Sequence, residues 1–436
     1  MNYKTNKTIP QRVATPTDRR SAAGGGAAAS LVTVTKSASP FGNSAFEIVS
    51  NDGEIHSFNR DDDGTLKVIK TPEAARALRW SLKSIVNKIL TQSRTAKCQV
   101  FRAPIPNGLR NIEIRKTVEH NKAFYTGLYA CGNVWACPVC ATKVSERRRA
   151  ELVTAISIAK AKGWQINFIT LTIPHGISDD LKVMKDLQQK ALRKISSGKN
   201  SVKNLLEKQG VEVHGYIRAY EVTHGLNGFH PHFHIIYFTS EIEHRYIERI
   251  YTKKWQQACS SVGLPTPSDE HGFHIQDGSF AAEYAVKWGI VDEMLKANTK
   301  ITKRKGVSPF GLLKAVLDGD NEDYPADYAR KLFAVYVESM KGARQLYWSN
   351  GLRLKLGLAQ EMRDQEIAQA ETEESSRYLA TILPEQWKII HKKRISPVRI
   401  LEIAESLPVG LDEHLIFGII VSMCDRTPKK KKDKSP

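Results

Sequence analysis

A chain of 436 residues with 65 Lys plus Arg against 46 Asp plus Glu carries a formal charge of +19. That excess suits a polyanionic partner, nucleic acid before an anionic membrane surface. The longest apolar run, His414 to Met423, is about half of what a spanning helix needs. The N-terminus has no apolar signal-peptide core. The expected setting is therefore the cytoplasm without membrane attachment, where the six Cys are better read as ligands or core residues than as disulfides.

In chain order, residues 1–70 begin with a small, polar, basic stretch expected to be disordered, followed by short alternating segments able to form hairpins. A helix is expected from Thr71 as N-cap and Pro72 at the first helical position. Residues 71–163 form a helical and Cys-containing segment. Within it, "CGNVWACPVC" places Cys131, Cys137 and Cys140 so that thiolates converge on one tetrahedral ion. Cys98 is the nearest fourth ligand, with His120 as the weaker alternative, and the implied ion is a structural Zn²⁺. The basic run Arg147, Arg148 and Arg149 just behind it is expected to lie along DNA phosphate. Buried thiols around Trp135 and a solvated helix face are the plainer readings of the two features.

From residue 164 the periods alternate. "QINFITLTI" is a strand, 178–208 is helical, and "HGYIRAYEVT" with "PHFHIIYF" is a hairpin across Asn227-Gly228. A helix capped by Ser240, the strand "GFHIQDG" and the helix "SFAAEYAVKWGIVDEMLKA" follow. The β-α-β-β-α-β order implies an α+β, ferredoxin/RRM-like antiparallel sheet with helices on one face. Beyond it, "QEIAQAETEESS" reads as a polar, solvent-exposed connector, 359–425 as a C-terminal helical module and 426–436 as a basic disordered tail.

On a strand, His230, His232 and His234 share one face. With Asn227-Gly228 as the two turn residues, position i pairs with 455 − i and sets Glu221 opposite His234. Slipping the register by two keeps Glu221 on the His face. Two imidazoles and a carboxylate make a divalent-ion site with open positions, as suited to Mg²⁺ or Mn²⁺ working on phosphate as to Zn²⁺. A polar face that merely contains His is the alternative. His230 is a further ligand or a contact to substrate DNA. Tyr284 and Lys287, at i and i+3 on one helix face, supply a nucleophile and a cation near phosphate.

These residues resemble the HUH endonucleases, and more narrowly the rolling-circle plasmid replication initiators. The likeness runs from about Cys98 to Leu358 through five ordered blocks: "CGNVWACPVC", "FITLTIPH", "EVTHGLNGFHPHFH", "EYAVKW" and "KGARQLYWSNGLR". The resemblance implies an HUH domain over 164–358 in a bacterial protein that nicks single-stranded origin DNA. Tyr284 would become linked to the 5′ phosphate, leaving a 3′-OH primer. It implies His232, His234 and Glu221 as metal ligands and Lys287 as a contact to the scissile region. Phe280 stands where some relatives carry a Glu one helical turn before the Tyr, so the group that activates water for termination is not given by the motif. Without a G-x-x-x-x-G-K-[ST] loop, unwinding falls to a host helicase and extension to a host polymerase. A non-catalytic zinc-containing DNA-binding regulator, or an HUH relaxase or transposase, are the alternative readings.

Overall fold

The computed structural model describes strands within residues 34–69, residues 72–287, 306–319, 321–370, 375–393 and 395–406, and short pieces of 408–422. Thr71, the first thirty residues and the basic tail lie outside the described residues, so the expectations placed on them do too. Residues 1–69 and 70–436 are separate compact units. In the first, β1 (Val34–Ala38), β2 (Ser44–Val49), β3 (Ile55–Arg60) and β4 (Leu66–Ile69) form an antiparallel meander.

The second unit opens with α1 (Pro72–Ile89), α2 (Arg94–Lys97) and a small hairpin of β5 (Pro104–Ile105) and β6 (Gly108–Leu109). Next come β7 (Ile112–Thr117), β8 (Ala123–Thr126) and the long helix α3 (Pro138–Ala161), whose start has Pro at the position where a missing N–H costs nothing. The central elements are β9 (Gln165–Leu171), α4 (Leu181–Ser196), α5 (Val202–Glu207), β10 (Val213–Gly225), β11 (Gly228–Thr239), α6 (His244–Ser261) and β12 (Phe273–Gln276). After them follow α7 (Gly278–Lys287), α8 (Pro309–Asp318), α9 (Ala326–Ser339), β13 (Leu346–Trp348), α10 (Leu352–Lys355) and α11 (Asp364–Gln369). The described part closes with β14 (Ser376–Ile382), α12 (Pro384–Lys392) and α13 (Pro397–Ser406).

The central sheet has the order β12-β9-β11-β10-β13, with every neighbouring pair antiparallel. Alternation sends Ile169, Leu171, Phe233, Ile235 and Tyr237 to one face, where they pack with Leu192 of α4 and Trp255 of α6. Those two crossover helices share a face, as the element order implies. The opposite face is not bare, however. Ile166, Phe168, Ile217, Ile236 and Phe238 are covered by Leu152, Ala155 and Ile156 of α3 and by Ala281 and Ala285 of α7. The sequence pattern assigned α3 to the cysteine segment alone because the residues it places under the sheet begin only at Leu152, well beyond the cysteines at its start.

Four local expectations are corrected. Gly225 pairs with Gly228, so Leu226 and Asn227 form the turn and Glu221 lies directly opposite His232, not His234. Only Gly228 of this reversal has a positive φ, and a Cβ there would meet Ile177 Cα at 3.0 Å, so close packing of the 176–177 loop fixes where the glycine must be. Ser240 does not cap α6, which starts at an N-cap Glu243. Its hydroxyl instead accepts from the Glu212 N–H, prolonging the sheet edge. The 364–369 helix is no exposed connector, since Ile367 and Ala368 are buried. The segment after 376 is also not purely helical: β14 pairs with β7 in the sheet β14-β7-β8, under which α12 and α13 form a third core.

Candidate functional site

The four cysteines converge. Cys98 ends α2, Cys131 follows β8, Cys137 is the N-cap of α3 and Cys140 lies in its first turn. Sγ of Cys98 is 3.4 Å from that of Cys140 and 3.7 Å from that of Cys137, and Cys131 is 3.8 Å from Cys140. Four thiolates at about 2.3 Å from a tetrahedral zinc would stand about 3.8 Å apart, so the set fits such an ion. Burial pushes the Cys137 thiol up. Hydrogen bonds from Cys137, Cys140 and Cys98 pull the Cys131 thiol down. Cys98 is thus brought into the set and His120, exposed in the turn after β7, is not. Trp135 is buried beside the cluster and donates to the Ala343 carbonyl at 2.9 Å. Both plain and functional readings of that tryptophan therefore describe the same knuckle.

The second cluster lies on the α3/α7 face of the sheet, beyond the end of the apolar cover. Oε2 of Glu221 is 3.6 Å from Nε2 of His232 and 3.6 Å from Nε2 of His234. The outward nitrogens are both engaged: His234 Nδ1 with the Thr170 hydroxyl at 3.0 Å, and His232 Nδ1 with the His230 carbonyl at 3.2 Å. Such outer bonds fix ring orientation and leave Nε2 as the ligating atom. Burial drives the His234 imidazole down to about 4, so it is neutral near pH 7. Burial alone would raise the Glu221 carboxyl, but His232, His234 and Tyr284 outweigh it and hold it at about 2. Two imidazoles and a carboxylate form a donor set suited to a hard or borderline divalent cation.

Tyr284, on α7, donates its hydroxyl hydrogen to Oε1 of Glu221. Its ring lies 4.9 Å from that of Phe168 and 5.0 Å from that of His234. One carboxylate thus divides its oxygens between the imidazole pair and the phenol. Lys287 ends α7 one turn after Tyr284, and its side chain is outside the described residues. His230 is not in the three-ligand group. Its Nδ1 is 2.7 Å from Nε2 of His175, whose Nδ1 in turn donates to the Asn227 carbonyl at 2.9 Å. No role was legible in the sequence for His175 or Thr170. Both sit on or just past β9, the strand neighbouring the His strand, and cross-strand alternation is the signal that could have found Thr170.

The basic run behind the knuckle divides. Arg148 is 4% exposed and held by Glu151, Glu361 and Asp364 at 3.2 to 3.3 Å, so its guanidinium is spent inside the protein and is corrected as a DNA contact. Arg147 and Arg149 are partly exposed, beside Glu151 and Glu146.

The sequence matches the profile of a family described as "Replication protein" over residues 129–393. The chain belongs to that family. Two curated relatives, both called "Protein rep", agree with it. The one from Streptomyces lividans is 27% identical over 294 residues, 53% of this chain and 64% of the relative. The one from Lentilactobacillus hilgardii is 28% identical over 130 residues, 28% of this chain and 39% of the relative. The chain therefore spans less than two thirds of the length of these relatives. No solved structure matches. The family region holds Cys131, Cys137, Cys140, the Glu-His-His group and Tyr284, and begins after Cys98. No described helix is long and apolar enough to cross a membrane.

Proposed function

We propose that this chain is a plasmid rolling-circle replication initiator of the HUH endonuclease type, nicking and rejoining single-stranded DNA at the origin through Tyr284. The carrying observation is the Tyr284 hydroxyl seated on a carboxylate whose other oxygen faces two metal-competent imidazoles. A nucleic-acid regulator with a structural His strand has no use for that arrangement. The β-α-β-β-α-β connectivity around β9, β11 and β10 supports the HUH assignment, as does membership in a replication protein family.

A Mg²⁺ or Mn²⁺ ion held by Glu221, His232 and His234 would draw charge from the non-bridging oxygens of the scissile phosphodiester. Tyr284 Oη then bonds to phosphorus as its proton, oriented by the hydrogen bond to Oε1 of Glu221, is released to water. The P–O3′ bond breaks, and the 3′ oxygen takes a proton from water. The products are a 3′-OH for a host polymerase and a 5′ phosphate on Tyr284. Lys287 is assigned to the scissile region, and His230, backed by His175, to the substrate side. Cys98, Cys131, Cys137 and Cys140 are assigned to a structural Zn²⁺. A host helicase is the remaining expected partner.

The test is incubation of the purified chain and Mn²⁺ with a supercoiled plasmid bearing its origin. The expected result is open-circular DNA and a protein–DNA species that survives denaturing electrophoresis. Binding without nicking at any divalent-ion concentration would favour the regulator instead.

A further inference from the structure

At the far edge of the central sheet, two guanidinium groups face one tyrosine ring. Arg218 of β10 pairs across the ladder with Tyr347 of β13. Its Cζ is 4.9 Å from the Tyr347 ring centroid and 5.5 Å from that of Phe233. Arg344 stands 5.7 Å from the same Tyr347 ring. Among the described residues neither arginine has a carboxylate or a hydrogen-bond acceptor. The contrast within the protein is informative: the enclosed Arg148 meets three carboxylates and Arg76 meets Glu405 at 2.6 Å. Arg218 is half-buried, with burial lowering its pKa, and it keeps its donors without a counter-charge. A half-buried cation with a second one on the same ring is costly unless an anion joins them.

The location bears on the site. The β13 ladder covers Ile217 to Ala219 of β10, and the Tyr220 N–H donates to the Gln345 carbonyl at 2.9 Å. Arg344 therefore leaves the sheet at the level of Glu221, while Arg218 lies three residues back on the opposite face, about 10 Å along the strand. A single strand leaving the cation site over this open edge would meet Arg344 first and Arg218 next.

We infer that Arg344, Tyr347 and Arg218 form a binding surface for single-stranded DNA flanking the cleaved phosphodiester, an inference that rests on the nicking function proposed above. The two guanidiniums take backbone phosphates, and their planes, supported by the Tyr347 ring, offer stacking for an unpaired base. A partly exposed ring between two planar cations suits an unpaired base, which a duplex does not offer, and its flanking phosphates.

The test uses the full chain carrying Tyr284→Phe, so that no covalent species forms, and a labelled 20-nucleotide oligothymidine read by anisotropy over a salt series. Arg344→Ala and Arg218→Met are each expected to weaken binding by roughly threefold to tenfold, and to lower the salt slope by about 0.7. Arg344→Lys is expected to keep the slope, and a duplex of equal length to bind all variants alike. Unchanged oligothymidine affinity in Arg344→Ala, or an equal loss toward duplex, would overturn the inference. Arg344 is exposed, so its variant carries the test even if Arg218→Met lowers the melting temperature. Arginine-dependent binding by a wild-type chain that forms no adduct would sink the nicking function alone. An adduct with no arginine dependence would sink this inference alone.

Discussion

Glu221 and Tyr284, 63 residues apart in the chain, meet through a hydrogen bond that the phenolic O–H donates to one carboxylate oxygen. The other oxygen faces His232 and His234. These contacts tie α7 to the β10–β11 hairpin. Glu221→Gln preserves the size of the side chain while removing its charge. Divalent-ion affinity, followed by calorimetry with Mn²⁺, is expected to fall at least about tenfold, and adduct formation to fall with it. Wild-type Mn²⁺ affinity in this variant would remove Glu221 from the ligand set.

Thr170 holds His234 by its Nδ1 and touches no proposed substrate atom. Thr170→Val keeps the β-branched shape that β9 requires and deletes the hydroxyl. A roughly tenfold to hundredfold loss of Mn²⁺ affinity is expected, with little change in melting temperature. If the loss appeared only in stability, the orienting role would be wrong.

The thiol cluster anchors the first turn of α3, and the later turns of α3 carry Leu152, Ala155 and Ile156 under the sheet and against α7. Elemental analysis is expected to find about one zinc per chain. Cys137→Ser, or zinc removal by a strong chelator, should lower the melting temperature and disturb the Tyr284 face together. A metal-free chain of unchanged melting temperature would leave the cysteines as ordinary core residues.

Sequence alone located the four thiols and the Glu-His-His group, because strand alternation and the short spacing of the Cys residues are local properties. It named Tyr284 through motif order. It missed the hairpin register by two residues, since the Asn-Gly signal cannot show that the 176–177 loop packs on Gly228. Alternation survived that slip, so Glu221 stayed on the correct face. Sequence also read Arg148 as surface charge. Its partners Glu361 and Asp364 lie more than two hundred residues away, and no local pattern reports a tertiary ion network.

That network gives a stability difference between neighbouring arginines. Arg148→Ala leaves Glu361 and Asp364 without their cation, while Glu151 keeps Arg147 and Arg353, and is expected to cost about 3 kcal/mol. Arg149→Ala removes a half-exposed pair and is expected to cost at most about 1 kcal/mol. Denaturant unfolding of both variants is the check, and equal effects would contradict the buried-network reading.

Acid should loosen the C-terminal core through Glu405. Burial alone would raise this carboxyl, but Arg76 and the Ala123 N–H hold it below its ordinary value. A carboxyl depressed in the folded state stabilises above its unfolded pKa, about 4.3, and loses that contribution as pH falls through the folded value. The melting-temperature gap between wild type and Glu405→Gln is thus expected to be constant near neutrality and to close below about pH 4.3. A gap that persisted in acid would show that the side chain acts by packing alone.

The central claim is that Tyr284 attacks the phosphodiester. Its most direct test is mass spectrometry of the proteolysed adduct formed with Mn²⁺ and a single-stranded oligonucleotide spanning the origin nick site. The account expects a nucleotide phosphate on the peptide containing Tyr284, and none with Tyr284→Phe although that variant still binds the oligonucleotide. An adduct on any other residue, or one that persists in Tyr284→Phe, would contradict it.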